Sequence, residues 1–97
     1  MKKYLVLALL AAGCRVAPPQ ASAVDAERAH VALAELQQGR QLLVAKCGAS
    51  CHVAPLPSQH TAADWPKSLD EMSARASLEP SQRRLIEEYL VAMTQKN

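Results

Sequence analysis

The feature that most constrains this chain is a short run near its middle, Cys47-Gly48-Ala49-Ser50-Cys51-His52, which holds two thiols and an imidazole. Three residues separate the two cysteines. Positions i and i+4 share one face of a helix, so the sulfur atoms of Cys47 and Cys51 can both reach the same edge of one flat group. His52 directly follows the second cysteine, which sets a metal ligand beside that edge.

Two cysteines ahead of a histidine form the attachment signature of c-type haem, in which each sulfur adds to a vinyl group and the histidine binds the iron. The usual spacing has one residue fewer between the cysteines. Composition agrees with a cofactor-filled interior, because the chain has no Phe, one Trp and two Tyr with which to fill a core. We therefore expect one covalent haem c, with thioethers from Cys47 and Cys51 and with His52 as the proximal ligand.

Two further stretches accompany this motif: residues 39–47, which place Gly39 eight residues before the first cysteine, and residues 85–90, which contain Tyr89. In this order and spacing the chain resembles small monohaem class I cytochromes c over residues 36 to 92. The resemblance implies that the aromatic residue of the C-terminal helix crosses the first helix at its glycine. It also implies that a proline after the motif, Pro55 or Pro57, accepts a hydrogen bond from the proximal imidazole.

Apolar residues recur at helical spacing in three segments. The first segment runs from Asp25, a plausible N-cap, to about Lys46, and the second starts at Thr61 or Asp64 and ends near Ala76. The third begins at Pro80. Their predicted inner faces are Leu36, Gly39 and Leu43, then Trp65, Leu69, Met72 and Ala76, then Gln82, Leu85, Ile86, Tyr89, Leu90 and Met93. With no strand pattern, we expect an all-α fold in which three helices wrap around one haem.

The distal haem ligand has several candidates. Met72 follows Trp65 by seven residues, which resembles a subgroup of short monohaem domains whose distal methionine has this spacing. The resemblance implies that Met72 binds the iron, and the alternative is that Met72 only fills the core. His60, Met93 and an open position are the remaining possibilities.

The N-terminal segment is typical of an exported lipoprotein. Lys2 and Lys3 precede a short apolar run that ends at Cys14, in a sequence that resembles a lipobox. We expect a signal peptide over residues 1–13, a lipidated Cys14 followed by a flexible tether to residue 24, and a haem domain over residues 25–97. Arg15 after Cys14 favours the outer membrane of a Gram-negative bacterium, facing the periplasm. Conventional signal cleavage nearby is the alternative.

The balance of charged residues argues against a function in binding nucleic acid. Lys2 and Lys3 belong to the predicted signal, so the mature chain would have nine basic and nine acidic residues and no basic cluster for nucleic acid. The haem-attachment motif and the resemblance to cytochromes c imply a non-enzymatic electron carrier between redox proteins of the cell envelope. Two alternatives stay open: a haem-free helical lipoprotein with a Cys47–Cys51 disulfide that binds another protein, and a zinc site that uses Cys47, Cys51, His52 and His60.

Overall fold

The computed structural model describes residues 17–48 and 54–95. This part of the chain has four α-helices: α1 (Ala23–Ala29), α2 (Leu33–Leu42), α3 (Trp65–Ala76) and α4 (Pro80–Thr94). A π-helical turn, Leu43–Gly48, continues α2, and a 3-10 turn, Pro57–Gln59, precedes α3. No strand occurs in the described ranges. The all-α class predicted from the sequence is therefore confirmed.

The sequence predicted one continuous helix over residues 25–46, and this prediction is wrong. The segment is broken between α1 and α2. His30 ends α1 in the left-handed conformation, with a φ of 57°, and its N–H donates to the carbonyls of Ala26 and Glu27. A residue in that conformation cannot continue a right-handed helix. The described part of the chain therefore has four α-helices where the periodicity predicted three.

Asp25 is not the N-cap of α1, as the sequence had suggested, but the third helical residue. Ser22 is the N-cap: the Asp25 N–H donates to Ser22 Oγ over 3.3 Å, and the Ser22 N–H donates to Asp25 Oδ2 over 2.8 Å. This reciprocal arrangement is a capping box. The error arose because Ser and Asp are both good capping residues and lie three positions apart.

Asp25 also connects α1 to the rest of the molecule. Its carboxylate is 1% exposed, and Arg28 Nη1 lies 3.1 Å from its Oδ1. The second guanidinium nitrogen of Arg28 donates to the carbonyl of Ala92 over 2.9 Å. A buried carboxylate requires such a charged partner. The pair therefore fixes α1 on the C-terminal half of α4.

Residues 17–22, which we call the strap, lie on the helices ahead of α1. Arg40 Nε donates to the Pro18 carbonyl over 2.9 Å, and the hydroxyl of Tyr89 donates to the Pro19 carbonyl. Pro18 is buried, and Ala21 packs against the hydrophobic core. The folded body therefore includes residues 18–24, which the sequence had assigned to a flexible tether.

The closest approach between helices is the crossing of α2 and α4 at Gly39. A Cβ atom at Gly39 would lie 2.1 Å from the Leu85 carbonyl oxygen and 2.9 Å from Tyr89 Cβ. Only a residue without a side chain fits at such a contact. The crossing of an aromatic residue over this glycine, expected from the sequence, is confirmed.

Most residues of the predicted inner faces are buried, whereas Met72, Ala76, Gln82 and Leu85 are only partly buried. Trp65, Leu69 and Met72 share one face of α3, and the first two are fully buried. α3 begins at Trp65 and α4 at Pro80, as the prolines of the sequence indicated. The core cluster contains Leu43, Cys47, Ala54, Trp65, Leu69, Ile86, Tyr89, Leu90 and Met93.

A polar contact on the other side of the fold joins α2 to α4. Arg84 Nη1 lies 3.1 Å from a carboxylate oxygen of Glu88 and 3.8 Å from one of Glu35. Partial burial and the neighbouring Glu35 carboxylate raise the pKa of Glu88, and Arg84 opposes that shift. The arginine is largely exposed, so these ion pairs contribute little to stability.

We expect Gly39→Ala to destabilise the domain by about 1–3 kcal/mol, because the new methyl group must push α2 away from α4. Alanine's higher helix propensity, worth about 1 kcal/mol, offsets only part of that cost. Gly48→Ala is the matched control, since a Cβ there would lie 3.6 Å from its nearest neighbour, an ordinary contact. Urea unfolding of both variants measures the difference; equal stabilities would contradict the close crossing.

Ionisation of the Tyr89 hydroxyl should reduce the stability of the fold at high pH. Burial raises the pKa of its hydroxyl from 10.0 to about 12, and the nearby Arg40 guanidinium reduces that increase. Folding thus favours the neutral phenol, so its contribution is complete below about pH 10 and disappears as the pH rises through about 12. Unfolding free energies measured across that window should fall more steeply in the wild type than in Tyr89→Phe, and parallel curves would count against this origin.

Candidate cofactor site

Cys47 lies inside the apolar core. Its side chain is 2% exposed and belongs to the same cluster as Leu43, Trp65 and Leu69. The π-helical turn that carries Cys47 has one extra residue per turn relative to an α-helix, which changes the direction of the side chains that follow it. Turns of this kind occur often at functional sites. The first thiol of the motif is therefore surrounded by apolar side chains at the point where α2 changes its winding.

The two ends of the segment that carries the rest of the motif lie side by side. A Cβ at Gly48 would be 3.6 Å from both the backbone nitrogen and the Cβ of Ala54. Gly48, which follows Cys47, is therefore in contact with Ala54, which is buried. Cys51 and His52, predicted to hold haem, lie outside the described residues, and so does Cys14.

Trp65 connects the loop after the motif to the end of α4. Its indole Nε1 donates to the Pro57 carbonyl over 3.1 Å and lies 2.9 Å from the hydroxyl oxygen of Thr94. Thr94 Oγ1 is in turn 2.8 Å from the Pro57 oxygen and 2.6 Å from the Leu90 oxygen. The fully buried indole therefore has its polar group satisfied. Sequence reasoning missed Thr94, because a threonine at a helix end has no distinctive pattern.

The same contacts distinguish the roles open to Pro55 and Pro57, the two prolines that follow the motif. The Pro57 carbonyl faces Trp65 Nε1 and the Thr94 hydroxyl, both of which can donate to it. A carbonyl oxygen has two lone pairs, and these two groups match them. Of the two prolines, Pro55 is therefore the better candidate to accept a hydrogen bond from the imidazole of His52, and that role stays a prediction.

Met72 packs against the cluster that contains Cys47. It is half-buried and lies on the same face of α3 as Trp65 and Leu69. The thiol of Cys47 and the thioether of Met72 therefore belong to one apolar region. A thioether in an apolar shell is a suitable ligand for haem iron. Met72 therefore has the chemistry to bind the iron of a haem attached at Cys47, and both roles stay predictions.

The other two ligand candidates occupy different positions. Met93 is 4% exposed and is a member of the core cluster on α4. His60 is exposed, its ring lies edge-on to the Trp65 indole at 4.7 Å between centroids, and its Nε2 is 3.4 Å from the Ser68 hydroxyl. The imidazole of His60 is therefore held against the start of α3, beside Trp65.

None of the helices in residues 17–48 and 54–95 has the length and hydropathy of a segment that spans a bilayer. Within the same ranges, no three His, Cys, Asp or Glu side chains come together as a metal site. Comparisons with protein families, with curated proteins and with solved structures found no match to this chain.

We expect Thr94→Val to destabilise the domain by about 1–3 kcal/mol, because it removes a hydroxyl next to a buried indole N–H at nearly constant volume. Thr94→Ser keeps the hydroxyl and is the matched control, expected to lose less stability. Thermal unfolding followed by circular dichroism measures both. If valine were tolerated as well as serine, the contact between Trp65 and Thr94 would have no energetic importance.

Proposed function

We propose that this protein is a lipid-anchored c-type cytochrome that carries single electrons between redox proteins of the bacterial envelope. The observation that supports it most is the Cys47 to His52 motif, whose first cysteine lies in the apolar region against which Met72 packs. The lipidated residue in this proposal is Cys14, and the location is the periplasmic side of a membrane, in particular the outer membrane.

In this proposal the chain's residues attach and enclose the cofactor and perform no acid–base or nucleophilic step. Cys47 and Cys51 would hold the haem through thioethers, and His52 and Met72 would bind its iron. A bound haem supplies a centre that gains and loses one electron. Leu43, Trp65 and Leu69 exclude water from the sulfur atoms, which favours the less charged state of the iron site.

The haem-free alternative is supported by the close packing of the described core. Trp65, Leu69 and Leu43 are fully buried among protein atoms, so the helices already enclose a core around Cys47. A disulfide-linked lipoprotein that binds another protein would need no cofactor. A haem would have to be accommodated at the edge of this cluster, where Met72, Leu42 and Leu78 are only partly buried.

Intact mass separates the alternatives after expression with an active haem-attachment system. A cytochrome gains the mass of one haem, a disulfide protein loses two hydrogens, and a zinc protein gains one metal ion. The double variant Cys47→Ser with Cys51→Ser is the control and should remain colourless. A colourless wild-type protein that is helical and compact would contradict the cytochrome proposal.

Met72 is tested by a volume-conserving substitution. We expect Met72→Leu to keep its covalent haem, lose the absorption band of sulfur bound to ferric iron and have a lower reduction potential, because a thioether stabilises ferrous iron. Met93→Leu is the matched control on α4 and should keep the band. His60→Gln should keep it too. A band that disappears only in Met93→Leu would assign the ligand to α4.

A further inference from the structure

The strap limits how far the helical body can lie from a lipid on Cys14. Its contacts begin at Pro18, four residues after Cys14. Four peptide units span about 14 Å when fully extended, and no conformation is longer. The chain between the lipidated residue and the folded body is therefore shorter than half the thickness of a bilayer's hydrocarbon core, which is about 30 Å.

We propose that the strap holds the helical body directly on the surface of the membrane that contains the acyl chains of Cys14. This inference rests on the lipidation of Cys14 in the proposed function. The partner is thus a lipid surface, and the part of the body that faces it is the end where Pro18 meets Arg40 and Tyr89. The strap thus keeps the helical body close to the membrane, whereas a long flexible tether would let it move away.

Several contacts keep the strap attached. Arg40 on α2 and Tyr89 on α4 donate to consecutive carbonyls, those of Pro18 and Pro19. Both donors lie at the crossing of α2 and α4, where the backbones of the two helices meet at Gly39. Proline at both positions restricts the backbone, so less conformational entropy is lost when the strap is held in place.

An exposed apolar side chain lies two residues after the strap. Val24, in the first turn of α1, is 68% exposed. An apolar side chain gains free energy when it leaves water for the headgroup boundary. The acyl chains supply the affinity for the membrane, and the strap and Val24 determine which end of the body faces it.

This orientation restricts the partners of the proposed carrier. Cys47 lies seven residues after Arg40 on the same continuous helical segment, about 10 Å along its axis. A haem held there would stay close to the lipid surface. The redox partner must then present its own cofactor at that surface, as a membrane-embedded or membrane-bound protein does.

Neutron reflectometry of the full-length protein on a supported bilayer of phosphatidylethanolamine and phosphatidylglycerol measures the water gap between headgroups and protein. The gap in the wild type should be no wider than about 14 Å. A Gly-Ser spacer of twenty residues between Val16 and Ala17 leaves the folded body unchanged and should widen the gap to about 27 Å. Arg40→Gln with Tyr89→Phe should also widen it, whereas Arg84→Gln, an equal charge change away from the strap, should not.

Three outcomes would overturn the proposal. A wild-type gap clearly wider than about 14 Å would show that the strap is detached. An unchanged gap after the spacer is inserted would show that the body binds lipid without the strap. An intact mass without acyl chains on Cys14 would remove both this inference and the lipid anchor, whereas acylation with a wide gap would leave the proposed function intact.

Discussion

The close contact between α2 and α4 at Gly39 is the constraint on which the other contacts depend. The Leu85 carbonyl lies where a side chain at position 39 would be, so the two helix backbones touch. That approach brings Arg40 and Tyr89 to one end of the crossing, where both reach the strap. It also directs Leu43 and Cys47, further along the same segment, into the core between α3 and α4. A wider crossing would separate all of these groups.

Trp65 has a comparable role on the other side of the core. Its indole ring fills space that a domain without Phe must fill, and its N–H faces both the Pro57 carbonyl and Thr94. These bonds attach the loop after the motif to the last turn of α4. Ala54 lies beside Gly48, so the described residues on either side of the segment that contains Cys51 and His52 are neighbours.

Two of the predicted cofactor-binding residues lie near each other in the structure. Cys47 belongs to the core cluster and Met72 packs against it, and their roles toward a haem stay predictions. The resemblance implied Pro55 or Pro57 as an acceptor for an imidazole. The structure shows that the Pro57 carbonyl faces an indole and a hydroxyl, which are separated from it by 8 and 37 residues. Contacts between residues that are far apart in the chain produce no periodic pattern in the sequence. The strap was missed for the same reason, since Tyr89 is 70 residues from Pro19.

The sequence by itself determined the helical class, the starts of α3 and α4 and most of the buried positions. These follow from period and proline position, which act over one or two helical turns. The crossing at the glycine was expected only from the family resemblance. Only the tertiary structure decided where the first helix breaks, where the strap lies and which carbonyl the buried indole contacts. His30 can adopt helical or left-handed backbone angles, and two adjacent prolines suit a free tether as well as a clamped strap. The choice between such local alternatives depends on hydrogen bonds to residues far away in the chain.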